Sequence, residues 1–179
     1  MEQIIFDRLL LKTAFSCMAC DGDIDKREIV LIKTMHQNKK IFGDIDINLE
    51  LDNLLLEINR DGHQFLKSFF SELTSSSLSE QNELKLIEVA IETIKADGKI
   101  EYSEVKFFKV IRSNLKIKND VILGVHPDFE EYLEQDIISE SYLSRLQDDF
   151  FDSNIIPQFD IIKPLNNDFS DIIDTTDAN

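Results

Sequence analysis

Two sets of carboxylates carry the chemistry this chain has to offer. Asp21, Asp25 and Glu28 surround the turn Ala19-Cys20-Asp21-Gly22-Asp23-Ile24, and Asp97, Glu101 and Glu104 surround Lys95-Ala96-Asp97-Gly98-Lys99-Ile100. The second set is the first displaced by 76 residues, 97 minus 21. Oxygen donors grouped in this way suit a hard divalent cation, calcium or magnesium. They also have a purely structural use. Asp25 and Glu28 are spaced as a capping box that satisfies the free N–H groups at a helix start, with Glu101 or Ser103 in the capping place of the second copy. Asp21 and Asp97 can accept hydrogen bonds from the turn that follows them. An EF-hand is excluded by spacing. With Asp21, Asp23 and Asp25 at its positions 1, 3 and 5, Lys26 falls where glycine is required and Ile32 where glutamate is required.

The other reactive residues form no constellation. Cys17 and Cys20 are the only cysteines, and a zinc site would need two further ligands. The βαβ context of a redox Cys-x-x-Cys is missing too, so both read as small helix residues facing the core. His36, His63 and His126 are scattered, and none stands in a nucleophile–base arrangement. No catalytic residue and no organic cofactor is therefore expected.

The elements that position the acids read as helices. Leu10, Leu11, Ala14, Phe15 and Met18 recur at helical spacing before the first turn, and Leu86, Ile87, Ala90, Ile91 and Ile94 recur before the second. A glycine directly after such a run ends a helix in the left-handed region, and Ile24 or Ile100 then pins the turn into the core. A second helix follows each turn. The first is expected to end near Met35, before the polar stretch His36–Lys40; the second carries Val105, Phe108 and Ile111 and ends before Asn119. Between the two hairpins, Asp44–Ile47 reads as an extended connector. Helical period resumes at Asn48, is punctuated by Asp61-Gly62, and continues in the stripe Phe65, Leu66, Phe69, Phe70, Leu73. Ser77 and Glu80 have capping-box spacing, which predicts a helix start near Leu78. The fold class is all-α: a compact bundle of six to eight helices built from two similar hairpins.

An Ala-Asp-Gly-x-Ile turn with a glutamate a few residues on, present in both halves of a helical chain, resembles the tellurite-resistance TerB family. The N-terminal domain of the DjlA co-chaperones shares that superfamily. Ala96-Asp97-Gly98-Lys99-Ile100 with Glu104 carries the resemblance, as do Asp21-Gly22-Asp23-Ile24 with Glu28. Cys20 departs from the pattern where alanine is usual, and Glu101 departs at the capping position. The resemblance covers residues 5–118. It implies a part in tellurite or chemical-stress resistance, a metal ion at the acidic turns, and protein partners among membrane-associated components of the same system.

Composition limits the rest. The chain has 179 residues, 42% of them hydrophobic and 13 of them phenylalanine, which is ample for a packed core. A net charge of −16 argues against nucleic acid or an anionic membrane surface as the main partner. No run reaches the length of a membrane span, and the acidic opening Met1-Glu2-Gln3 is unlike a signal peptide. A cytoplasmic location is the default expectation. Pro127, Pro157 and Pro164 all fall after residue 126, and residues 127–179 hold 14 acids against Arg145 and Lys163. These features divide the chain into a helical domain, 1–126, and an acidic extension, 127–179, part helical and part extended. The extension reads as a solvated tail or as a strip that docks on the domain or a partner. His126-Pro127-Asp128 spells the J-domain signature but lacks the flanking basic helix. The competing functional reading is a protein-interaction adaptor, akin to a co-chaperone module, whose acidic turns are only caps.

Overall fold

The computed structural model describes residues 2–21, 24, 26–96, 98, 100 and 102–133. Among these residues the architecture is an all-α bundle without strands. Its helices are α1 (Glu2–Met18), α2 (Lys26–Lys39), α3 (Ile47–Arg60), α4 (Gly62–Ser75), α5 (Glu80–Ile94), α6 (Tyr102–Ser113), α7 (Asn119–Val125) and α8 (Glu130–Leu133), with short 3-10 turns at Ala19–Asp21 and Pro127–Phe129.

Two helices lie at the centre because they are the most deeply buried, although α5 keeps one polar stripe of Gln81, Lys85, Glu88 and Glu92. From Leu9 to Cys20 all residues but Lys12 are buried, and Leu86, Ile87, Val89, Ala90, Ile91, Thr93 and Ile94 do the same for α5. A helix with so wide an apolar surface has little face to give to water, so other elements must cover it. Thr13 and Thr93 are tolerated there because each hydroxyl donates to a carbonyl one turn back, Leu9 and Val89, both at 2.8 Å. α1 packs on α5 more extensively than any other pair of elements. These are the leading helices of the two copies, so the halves meet through equivalent surfaces.

The remaining helices are amphipathic and wrap this centre. α3 turns its Leu51, Leu54, Leu55 and Ile58 inward, and α4 its Phe65, Leu66, Phe69, Phe70 and Leu73. Aromatic contacts tie the layers together. Phe15 of α1 meets Phe65 edge-on at 5.7 Å, and Phe107 of α6 lies 6.3 Å from Phe69 and 5.3 Å from Phe70. Each such fully buried side chain stabilises the fold by about 1.5–3 kcal/mol relative to exposure. Residues 127–133 join the same core. Phe129 and Leu133 are buried, and Phe129 meets Phe108 edge-on at 5.0 Å. The expected extended strip beyond them, around Ile155–Leu165, lies outside the described residues.

Several boundaries differ from expectation. α2 continues through His36 to Lys39 and stops at Lys40, which takes a positive φ of 46°. The polar stretch is the exposed last turn of the helix, not a break. Asp46 is the N-cap of α3, its carboxylate accepting from the N–H groups of Asn48 and Leu49 at 3.2 and 3.1 Å, so Ile47 opens a helix where a connector was expected. Ser79, not Ser77, caps α5 by accepting from Asn82 N–H at 3.2 Å. Asp61 ends α3 and caps α4, accepting from Gln64 N–H at 2.9 Å.

Candidate functional site

The two acidic elbows are built by different means. In the first, α1 tightens into the 3-10 turn Ala19–Asp21, whose Ala19 and Cys20 are buried. Ile24 is buried as the pin that the sequence predicts, and α2 begins at Lys26. In the second, Lys95 caps α5 with its N–H on Ile91 O, Ala96 N–H reaches Thr93 O at 3.2 Å, and Gly98 N–H reaches Lys95 O at 3.1 Å. Gly98 has φ 77°, the left-handed conformation that places glycine after a helix. Ile100 is half-buried against the core, and α6 begins at Tyr102, ahead of Ser103.

Of the six predicted ligands, two have described side chains. Glu28 and Glu104 stand half-buried in the first turns of α2 and α6, where the positive helix end favours a carboxylate. Asp21 closes the 3-10 turn; its side chain, together with Asp25, Asp97 and Glu101, lies outside the described residues. Among the described residues no three potential ligands stand together.

The bundle sets the first elbow against the second hairpin. The 3-10 turn of the first elbow packs against α6 of the second copy. Burial, and after it the nearby charge of Glu104, push the Cys17 thiol well above its ordinary range. Glu104 thus acts across the repeat, on the leading helix of the other hairpin. A buried thiol with its pKa pushed up is a poor nucleophile. Glu28 and Glu104 offer carboxylate oxygens, the donor type that suits calcium or magnesium.

Sequence reasoning missed a second pair of acids. Asp7 and Glu83 are buried, and they too are 76 residues apart, 83 minus 7. Each lies against the loop that follows the second helix of its own hairpin. Glu83 accepts the N–H groups of Lys116 and Ile117 at 2.8 and 2.6 Å. Asp7 accepts from Gln3 Nε2 at 2.7 Å and fills the space where Gly43 would carry a Cβ, 2.1 Å from its Oδ2. Beside Glu83, Arg112 donates to Asn119 Oδ1 from Nε and Nη2 at 3.0 and 2.8 Å, and to Leu115 O at 3.2 Å. Burial lowers its pKa and Glu83 opposes that shift. Extending the repeat alignment to its N-terminal end pairs Asp7 with Glu83, a signal present in the sequence. Lys95 was also missed as a link. Its ammonium pairs with Asp128, holding that carboxyl below the usual range, and lies 5.0 Å from the centre of the Phe129 ring.

Compared with protein-family models, with characterised proteins and with solved structures, the chain matches none. Among the described residues no helix is long and apolar enough to cross a membrane.

Proposed function

We propose that the chain is a non-catalytic, cytoplasmic module of a TerB-like kind, serving tellurite or chemical-stress resistance, whose paired acidic elbows hold a divalent cation and through it engage protein partners. The observation that carries this reading is the contact of the first elbow with the second hairpin: the turn of the first packs on the helix that bears Glu104 of the second. The turn of the first copy and the helix that bears Glu104 come together only if both copies are folded together. A cation there would link partner recognition to the integrity of the whole bundle. The burial of Cys17, which pushes its thiol pKa up, supports a role without covalent catalysis.

The competing reading is an adaptor whose acidic turns are only caps. The placing of Glu28 and Glu104 in first helical turns favours it, since that position is stabilising without any metal. Calorimetric titration with calcium, magnesium, manganese and zinc separates the two. The expected result is saturable heat with calcium or magnesium that vanishes in the double variant Asp21→Asn, Asp97→Asn. Absence of heat in the parent, or equal heats in the variant with a lowered melting temperature, would assign the acids to capping and leave the adaptor.

A further inference from the structure

Charge is segregated along both copies in the same way. Between Lys26 and Lys40 five cations accompany one acid, Glu28, and between Tyr102 and Lys118 five cations accompany one acid, Glu104. The second helix of each hairpin is therefore a basic strip in a chain that is otherwise strongly acidic. The two strips differ in how their cations are used. In the first, Lys39 pairs with Glu92 at 2.7 Å and Lys40 with Asp44 at 3.4 Å. The equivalent end of the second strip holds Lys116 and Lys118, both exposed, and among the described residues neither forms an ion pair.

The chain also leaves the described body at this place. Leu133 O accepts from Asn119 Nδ2 at 3.3 Å, and Asn119 follows Lys118 directly. Past Leu133 come 11 acids against Arg145 and Lys163, with the densest group in Asp148-Asp149-Phe150-Phe151-Asp152. Asp148 lies fifteen positions beyond Leu133, a reach of up to about 50 Å. That far exceeds the distance back to Lys116 and Lys118.

We propose that the acidic C-terminal segment docks in cis on the basic end of α6, with Asp148, Asp149 and Asp152 set against Lys116 and Lys118. Opposite charges attract within a Debye length of about 10 Å at 0.1 M salt, and the tether raises their effective concentration. The bound tail would neutralise Lys116 and Lys118, and an acidic partner would have to displace it. This inference is independent of cation binding at the elbows.

Zero-length carbodiimide coupling of the full chain, as an equal mixture of 14N and 15N protein, tests it. Isopeptide bonds from Lys116 or Lys118 to Asp148, Asp149 or Asp152 are expected within single chains at low salt. They should fall several-fold at about 1 M salt, where the Debye length is about 3 Å. The Lys12–Glu72 ion pair at 2.9 Å serves as the internal control for a folded chain. Acylation footprinting adds a readout free of the coupling chemistry. In the triple variant Asp148→Asn, Asp149→Asn, Asp152→Asn, labelling of Lys116 and Lys118 should speed up several-fold while that of exposed Lys67 stays constant. Mixed-isotope links would put the tail on a second copy. Links spread evenly over the lysines, or unchanged labelling in the variant, would overturn the proposal.

Discussion

Gly43 and Gly98 share a positive φ but answer to different surroundings. At Gly98 a Cβ would meet nothing within 4 Å, so Gly98→Ala meets only the left-handed backbone, a cost of about 1–2 kcal/mol. At Gly43 the same φ is compounded by the Asp7 carboxylate, which occupies the Cβ position. Gly43→Ala must also displace a buried acid, and we expect a loss of about 3–5 kcal/mol in urea unfolding. Equal losses for the two variants would mean that Asp7 moves aside freely. Cys17 makes a second residue-scale prediction. Its thiol keeps its proton in the folded state, whereas the unfolded chain releases it above the ordinary thiol pKa of about 8.5. The unfolded state then binds fewer protons, so stability declines as pH rises through that point. Cys17→Ala should make the decline shallower by up to about 1.4 kcal/mol per pH unit. An unchanged slope above pH 9 would refute the assignment. Much at this scale was legible in the sequence: the buried Ile24, the left-handed Gly98 and the core positions of Cys17 and Cys20 follow from side-chain shape and spacing. Asp7 and Glu83 were legible only as a repeat pair; their burial was not, because an acid on an apolar face looks like an exposed one until its loop is placed.

The helices themselves were read from apolar period, and their ends less well, for identifiable reasons. The run from His36 to Lys39 is polar because the last turn of α2 faces water, and polarity alone does not stop a helix. The stop is backbone: Lys40 in the left-handed region, with Gly43 N–H on its carbonyl at 3.0 Å. Near α5, Ser77 and Ser79 offer the same capping chemistry. The helix starts at Ser79, leaving Leu78 in the connector, where it is partly buried against the core. Caps should matter more here than surface charge pairs. Asp46→Ala removes two hydrogen bonds from the start of α3 and is expected to cost about 1 kcal/mol. Lys40→Ala, which breaks the highly exposed pair with Asp44, should cost no more than a few tenths of that. Chemical denaturation of both variants provides the comparison, and a larger loss for Lys40→Ala would reverse the ranking.

For the molecule as a whole, the repeat was the most informative feature of the sequence, and the bundle gives it a physical meaning. A recurrence of 76 residues appears as two buried leading helices lying on one another, each closing the other's apolar surface. The seven residues from Pro127 belong to the same core through Phe129 and Leu133, which the prolines and acids around them obscured. The meeting of α1 with α5 also bears on stoichiometry. Either hairpin translated by itself would show water the broad apolar surface of its leading helix. Such a peptide has no solitary folded form within reach; it would dimerise with its twin or precipitate. Fusion of two units into one polypeptide turns that concentration-dependent encounter into a first-order event, so the fold should assemble equally well however dilute the protein is.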